Sequence, residues 1–219
     1  MRFGSIFVLL FCLSLVTFAQ SGILQEVSGR VEVQSSVGGQ WIPARVGDTL
    51  DVGGTLSVGL RSSATLGLGN SLVRVDSLSR LRLDELVTRG TITSTELYLP
   101  VGRVRTEVNA QTGLQQEFRL RSPVATAAVR GTSFEFDGQN LRVQTGLVQV
   151  SNTQGQSTLV SRGESSAVSP NAPPSTPEVE FEARSAVQVL TNPLEKTASR
   201  QARFSRFPSG IILLLPQAP

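Results

Sequence analysis

Between Val27 and Val168 apolar and polar residues alternate in short bursts. Val31-x-Val33, Leu56-x-Val58, Ala64-x-Leu66-x-Leu68, Val73-x-Val75, Leu81-x-Leu83, Leu97-x-Leu99, Phe134-x-Phe136, Leu141-x-Val143 and Val148-x-Val150 all follow it, and glycine, asparagine, serine or aspartate separates most of them. Alternation over three to six residues between turn formers predicts many short strands with one buried face. No stretch here keeps a 3.6-residue apolar period for three turns, so helix is expected to be scarce. "VSGRVEV" (27–33), "PVGRVRT" (100–106) and "QTGLVQV" (144–150) each set a glycine two residues before a valine that opens a strand. With bursts recurring every eight to ten residues, this cadence fits a small β-sandwich or a short β-solenoid, and the pattern by itself does not choose.

The two ends break the pattern. Arg2 followed by the thirteen-residue apolar run Ile6–Phe18 and the small residues Thr17 and Ala19 reads as a signal peptide over 1–19. The run is shorter than the ~18 to 20 residues a membrane span needs, so cleavage after Ala19 is expected, leaving no integral span. The alternative is retention as an anchor. After the β region (22–169) comes a Pro-rich stretch, 170–177, read as an extended linker without a core. Residues 178–219 form a poorly structured tail with a basic patch (Arg200, Arg203, Arg206) and the apolar "GIILLL". Those apolar residues are expected to dock as a strand or to cap an open end of the β domain.

Composition removes much chemistry. There is no histidine, and the one cysteine, Cys12, lies in the apolar leader. Cleavage would leave neither a Cys–His nor a Ser-His-Asp arrangement, nor a thiolate or imidazole metal site, so no catalytic residue, metal ligand or cofactor is assigned. All basic residues but Lys196 are arginine, yet 17 acids are interspersed and the net charge is only +3. A one-sided basic surface for nucleic acid is therefore not expected.

"SPVATAAVRGTSFEF" (122–136), followed by "LRVQTGLVQVSNTQGQSTLVSRGESSAV", resembles the core signature of the FecR-domain family. The matching residues are Val129, Arg130, Gly131, Thr132 and Phe134, then Val143, Gly146, Val148 and Val150, then Gly163. "GRVEV", Trp41-Ile42-Pro43, "VGDTL" and "SSATLGLGNSLVRV" follow the family's first half more loosely. Leu72-Val73-Arg74 and Gly53-Gly54 depart from it. The resemblance implies a periplasmic β domain of solenoid type, and it tips the open choice that way. Family regulators carry a cytoplasmic segment that contacts a sigma factor. Here the export signal begins at residue 1, so a stand-alone exported module in the periplasm or at the surface of a bacterium is expected.

Candidate sites follow from the residues. In Ala125, Ala127 and Val129 the inward parity is odd, whereas in Phe134 and Phe136 it is even. A continuous strand cannot switch faces in this way, so a bulge or tight turn must intervene, with Gly131 as its pivot. Arg130 beside it would turn to a carboxylate, Glu135 being nearest in sequence, and the competing reading makes Arg130 and Thr132 ligand contacts. Trp41 either stacks on a ligand or packs over the core end beside Pro43. Asp84-Glu85, with Arg80 or Arg82 nearby, keeps open a polysaccharide-acting enzyme, against the plainer reading of a solvated turn. The functional expectation is a non-enzymatic envelope module, signalling-related, that binds a protein partner or an envelope polymer. The alternatives are the glycan-acting enzyme and a structural surface component.

Overall fold

The computed structural model describes residues 20–35, 38–109 and 115–177, and one compact unit runs through Thr176. The signal peptide and the tail lie outside the described residues. The described chain is almost entirely β, and none of its helices is long and apolar enough to cross a membrane.

The chain passes repeatedly between two sheets. It enters the first as β1 (Gly22–Ser28), crosses to the second for β2 (Val31–Gln34) and β3 (Ile42–Pro43), returns for β4 (Thr49–Leu50) and crosses again for β5 (Thr55–Val58). Hairpins follow, with β6 (Ser63–Leu68) and β7 (Ser71–Val75) in the first sheet, then β8 (Ser79–Arg89) and β9 (Ile92–Val101) in the second. β10 (Val104–Val108) joins the first sheet, and β11 (Gln115–Arg121) with β12 (Ala125–Val129) the second. β13 (Ser133–Phe136) and β14 (Asn140–Thr145) lie in the first, β15 (Leu147–Asn152) and β16 (Ser157–Ser161) in the second, and β17 (Ser165–Ala167) ends the first.

Strand order in space nearly follows strand order in sequence: β4-β1-β6-β7-β10-β13-β14-β17 in one sheet and β3-β2-β5-β8-β9-β11-β12-β15-β16 in the other. The all-β expectation holds. The two sheets share one core and are not closed, as in the sandwich alternative, while the chain advances along them step by step. Neighbours pair antiparallel except β9 and β11, which run parallel because the intervening β10 lies in the other sheet.

The alternation seen in sequence is the inward face of each strand. Leu81 and Leu83, Leu97 and Leu99, Phe134 and Phe136 are all buried. Phe118 of β11 meets Phe134 of β13 edge-on, with ring centroids 6.4 Å apart, across the two layers. Each such large apolar side chain contributes about 1.5–3 kcal/mol by leaving water.

Every sheet crossing whose residues are all described contains a residue with positive φ. Seven use glycine, and Arg61 and Leu78 serve at the other two. The self-similar glycines of the sequence, Gly29, Gly102 and Gly146, are three of these corners. Each sits against a buried hydroxyl: Ser62, Ser79 and Thr132 respectively. A Cβ on Gly102 would come 2.4 Å from the Ser79 Cα, so no other residue fits without moving the backbone.

The Pro-rich stretch does not run free. Pro174 is buried, the Ser175 amide donates to the Ala167 carbonyl (2.8 Å), and the Ser166 hydroxyl donates to the Ser175 carbonyl (2.5 Å). It lies against β17 and covers that end of the first sheet.

Candidate functional site

Arg130-Gly131-Thr132 is one of the crossings. β12 ends at Val129 in the second sheet and β13 begins at Ser133 in the first, so the switch of parity is a change of sheet at Gly131 (φ +65°). A register shift at Ser133/Phe134 against β14 completes the irregularity. Thr132 is buried. Its hydroxyl donates to the Leu147 carbonyl (3.1 Å), and its own carbonyl accepts from the Val108 amide (3.0 Å). The first bond ties the crossing at Gly131 to the neighbouring one at Gly146 and the second ties it to the end of β10, a structural role. Phe134 and Phe136 fill the core, and Gly163 makes the last crossing, with φ +81°.

Arg130 points outward and donates to the Gln115 side chain (2.8 Å). Glu135, its expected partner, instead takes Arg103 (3.3 Å) and Arg105 (3.7 Å) on the outer face of the first sheet. There the charges form a chain running Glu26, Arg74, Asp76, Arg105, Glu135, Arg103, Asp137, each linked to the next within 3.3–3.9 Å. Cations and anions answer one another along it. Burial acts to raise the Asp137 carboxyl. Hydrogen bonds from Asn140 and Gln139, together with the charge of Arg103, outweigh it and hold the group below its ordinary range.

The outer face of the second sheet is different. The period-two run Arg80-Leu81-Arg82-Leu83 turns both leucines inward and both arginines outward on β8. The Arg80 guanidinium lies over the ring of Trp41, 5.7 Å from its centroid. That of Arg82 lies over Tyr98 on β9, at 4.9 Å, and the two residues are register partners. Tyr98 also pairs in register with Arg121 of β11, whose guanidinium donates to Glu96 (2.7 Å). The chain's one tryptophan and one tyrosine thus lie on one face, each under an arginine from the same strand. Arg82 donates to Asp84 and Arg121 to Glu96, and these hydrogen bonds raise both guanidinium pKa values.

This arrangement brings Trp41 together with Arg80 and Arg82 and leaves Arg130 elsewhere. β12 and β3 stand six places apart in the second sheet, about 29 Å at ~4.8 Å per strand. Tyr98 escaped the sequence reading, although Leu97-Tyr98-Leu99 already turns it outward. The reach of Trp41 across β2 and β5 to Arg80 has no local signal. Asp84 is committed to Arg82 on its own strand, and Glu85 stands opposite Glu96 in the register. Among the described residues no three acids, histidines or cysteines gather as a metal site would require.

Residues 54–156 match the family described as FecR protein. The match includes the Arg130–Thr132 crossing, Arg80, Arg82 and Tyr98, and it leaves out Trp41 and Gly163. Two crystal structures of a proposed anti-sigma factor from Parabacteroides distasonis align at 20% identity with a TM-score of 0.45. The alignment covers 54% of this chain and 56% of that one, so the chain spans about half the length of that relative. No curated protein matches the chain.

Proposed function

We propose that this chain, which carries a FecR domain over residues 54–156, is a non-enzymatic regulatory module that binds a protein partner through the Trp41–Arg80–Arg82–Tyr98 strip. The observation behind this is the gathering of the only tryptophan, the only tyrosine and paired arginines on one outward sheet face. Those residue types dominate the energetics of protein interfaces. An arginine already stacked on a ring is pre-oriented and loses little freedom when a partner covers it. The opposite outer face carries a chain of ion pairs and, among the described residues, no stacked ring, and is the poorer binding surface.

The leader-like first nineteen residues support export to the periplasm or cell surface of a bacterium, where the partner would be an envelope protein. The test is affinity capture from envelope extract with the intact chain, Trp41→Ala and Arg82→Ala side by side. A discrete protein retained by the intact chain and lost with both variants supports the reading. Retention of glycan, or protein capture that both variants leave unchanged, overturns it. Fractionation of tagged cells that places the chain in the cytoplasm would overturn the envelope assignment separately.

A further inference from the structure

Among the described residues four strands form the ends of the two sheets, and three of them are blunted. β4 and β3 are two residues long, with Pro43 in β3, and β17 is covered by the segment around Ser175. β16 differs. It has five residues, Ser157-Thr158-Leu159-Val160-Ser161, with no charge and no proline, and a strand of that kind is a template for further pairing.

The direction of its backbone groups follows from its flanks. The Gln156 carbonyl accepts from the Asn152 amide of β15 (3.0 Å), while the Ser161 amide and carbonyl are engaged in a turn with Glu164. By the two-residue period, Thr158 and Val160 bond β15, and Ser157 and Leu159 present N–H and C=O to the open side. Leu159 is 57% exposed on the outer face, beside Leu147 at 48%.

We infer that β16 pairs antiparallel with β16 of a second copy of this chain, about a two-fold axis at Thr158. In that register Ser157 of each chain faces Leu159 of the other, so the residues with outward backbone groups exchange N–H···O=C bonds and the Ser161 turn is left intact. Thr158 faces its own copy at a non-hydrogen-bonded position, where threonine pairs are favourable, and the two Leu159 side chains lie diagonally across the axis. Charge agrees with the pairing, because Arg162 of each chain comes opposite Gln154 of the other and no like charges meet. The second sheet then runs on through two molecules, a self-complementary contact of the usual two-fold kind. The aromatic–arginine strip is not involved, so the dimer stands or falls independently of the partner-binding reading.

Sedimentation of the full chain should show a reversible monomer–dimer equilibrium, and Leu159→Pro should shift it to monomer. Proline there removes only the outward-facing N–H, so the circular dichroism should be retained. If that variant does not fold, Leu159→Lys makes the same test by setting two cations across the axis. Thr158→Cys should form a disulfide-linked dimer under mild oxidation at least about tenfold faster than Thr65→Cys on the other sheet. A chain that stays monomeric at high micromolar concentration overturns the proposal. So does a dimer insensitive to both Leu159 variants, or equal cross-linking of the two cysteine variants.

Discussion

The crossing at Arg130–Thr132 and the strip of Trp41, Arg80, Arg82 and Tyr98 each combine arginine with residues of distinctive chemistry, and they put them to opposite uses. At the crossing the hydroxyl of Thr132 and its backbone are bonded to neighbouring strands, and Arg130 leans on Gln115. On the strip the rings and guanidinium groups lie against each other and face outward, already arranged for the partner proposed above. Family-like sequence therefore marks the place where the chain changes sheet. The surface proposed here for partner binding is set by ordinary strand alternation, which leaves no motif.

The largest test of that contrast is at a corner. Gly102→Val, with φ +105° and the Ser79 backbone in the way, should cost more than about 3 kcal/mol in urea unfolding. Gly69→Val, in a hairpin turn with φ +58° but open space around it, should cost only the backbone strain of about 1–2 kcal/mol. Equal losses would remove the special standing of the crossings. Thr132→Val should come next, at about 1–3 kcal/mol, because it strands the Leu147 carbonyl. It should leave partner capture unchanged, and loss of capture at full stability would move Thr132 to the binding side of the comparison.

Trp41→Ala and Arg82→Ala should reverse that pattern. Thermal melts should register under about 1 kcal/mol for Trp41→Ala, since an exposed cation–ring contact contributes little more. They should register about 1–2 kcal/mol for Arg82→Ala, which also leaves the half-buried Asp84 without its ion pair. Titration against the captured partner should show at least about a tenfold loss of affinity. The smallest effect concerns Asp137. Its carboxyl is held below the ordinary range in the fold, so its contribution is present above the unfolded value and is lost as pH falls through the folded one. Asp137→Asn should therefore lower stability at neutral pH by no more than about 1 kcal/mol and flatten its fall in acid, read from urea midpoints between neutrality and the acid limit.

The inward face was legible wherever a strand keeps its register, as Leu97 and Phe134 reported directly, whereas β8 shifts between Leu83 and Glu85 and buries Leu86 on the opposite parity from Leu81. The parity break at Gly131 was legible too, though not its nature, since a bulge within one strand and a passage between two sheets shift parity alike. Which strands meet was hidden, because pairing joins residues far apart in sequence, as Thr65 meets Glu26 across 39 positions. Trp41 over Arg80 was hidden for the same reason. The Pro-rich stretch misled by composition: proline disfavours a strand interior, but it does not stop Pro174 from being buried or Ser175 from bonding β17.

The orderly advance of the strands also bears on how such a chain changes length. From β5 onward each new strand pairs with one already laid down on the advancing side of its sheet, so growth at that end disturbs no earlier pairing. Duplication or loss of one corner-to-corner segment there would lengthen or shorten the domain while every earlier pairing kept its register. Relatives of different sizes would then share the same corners and differ in how many of them they contain.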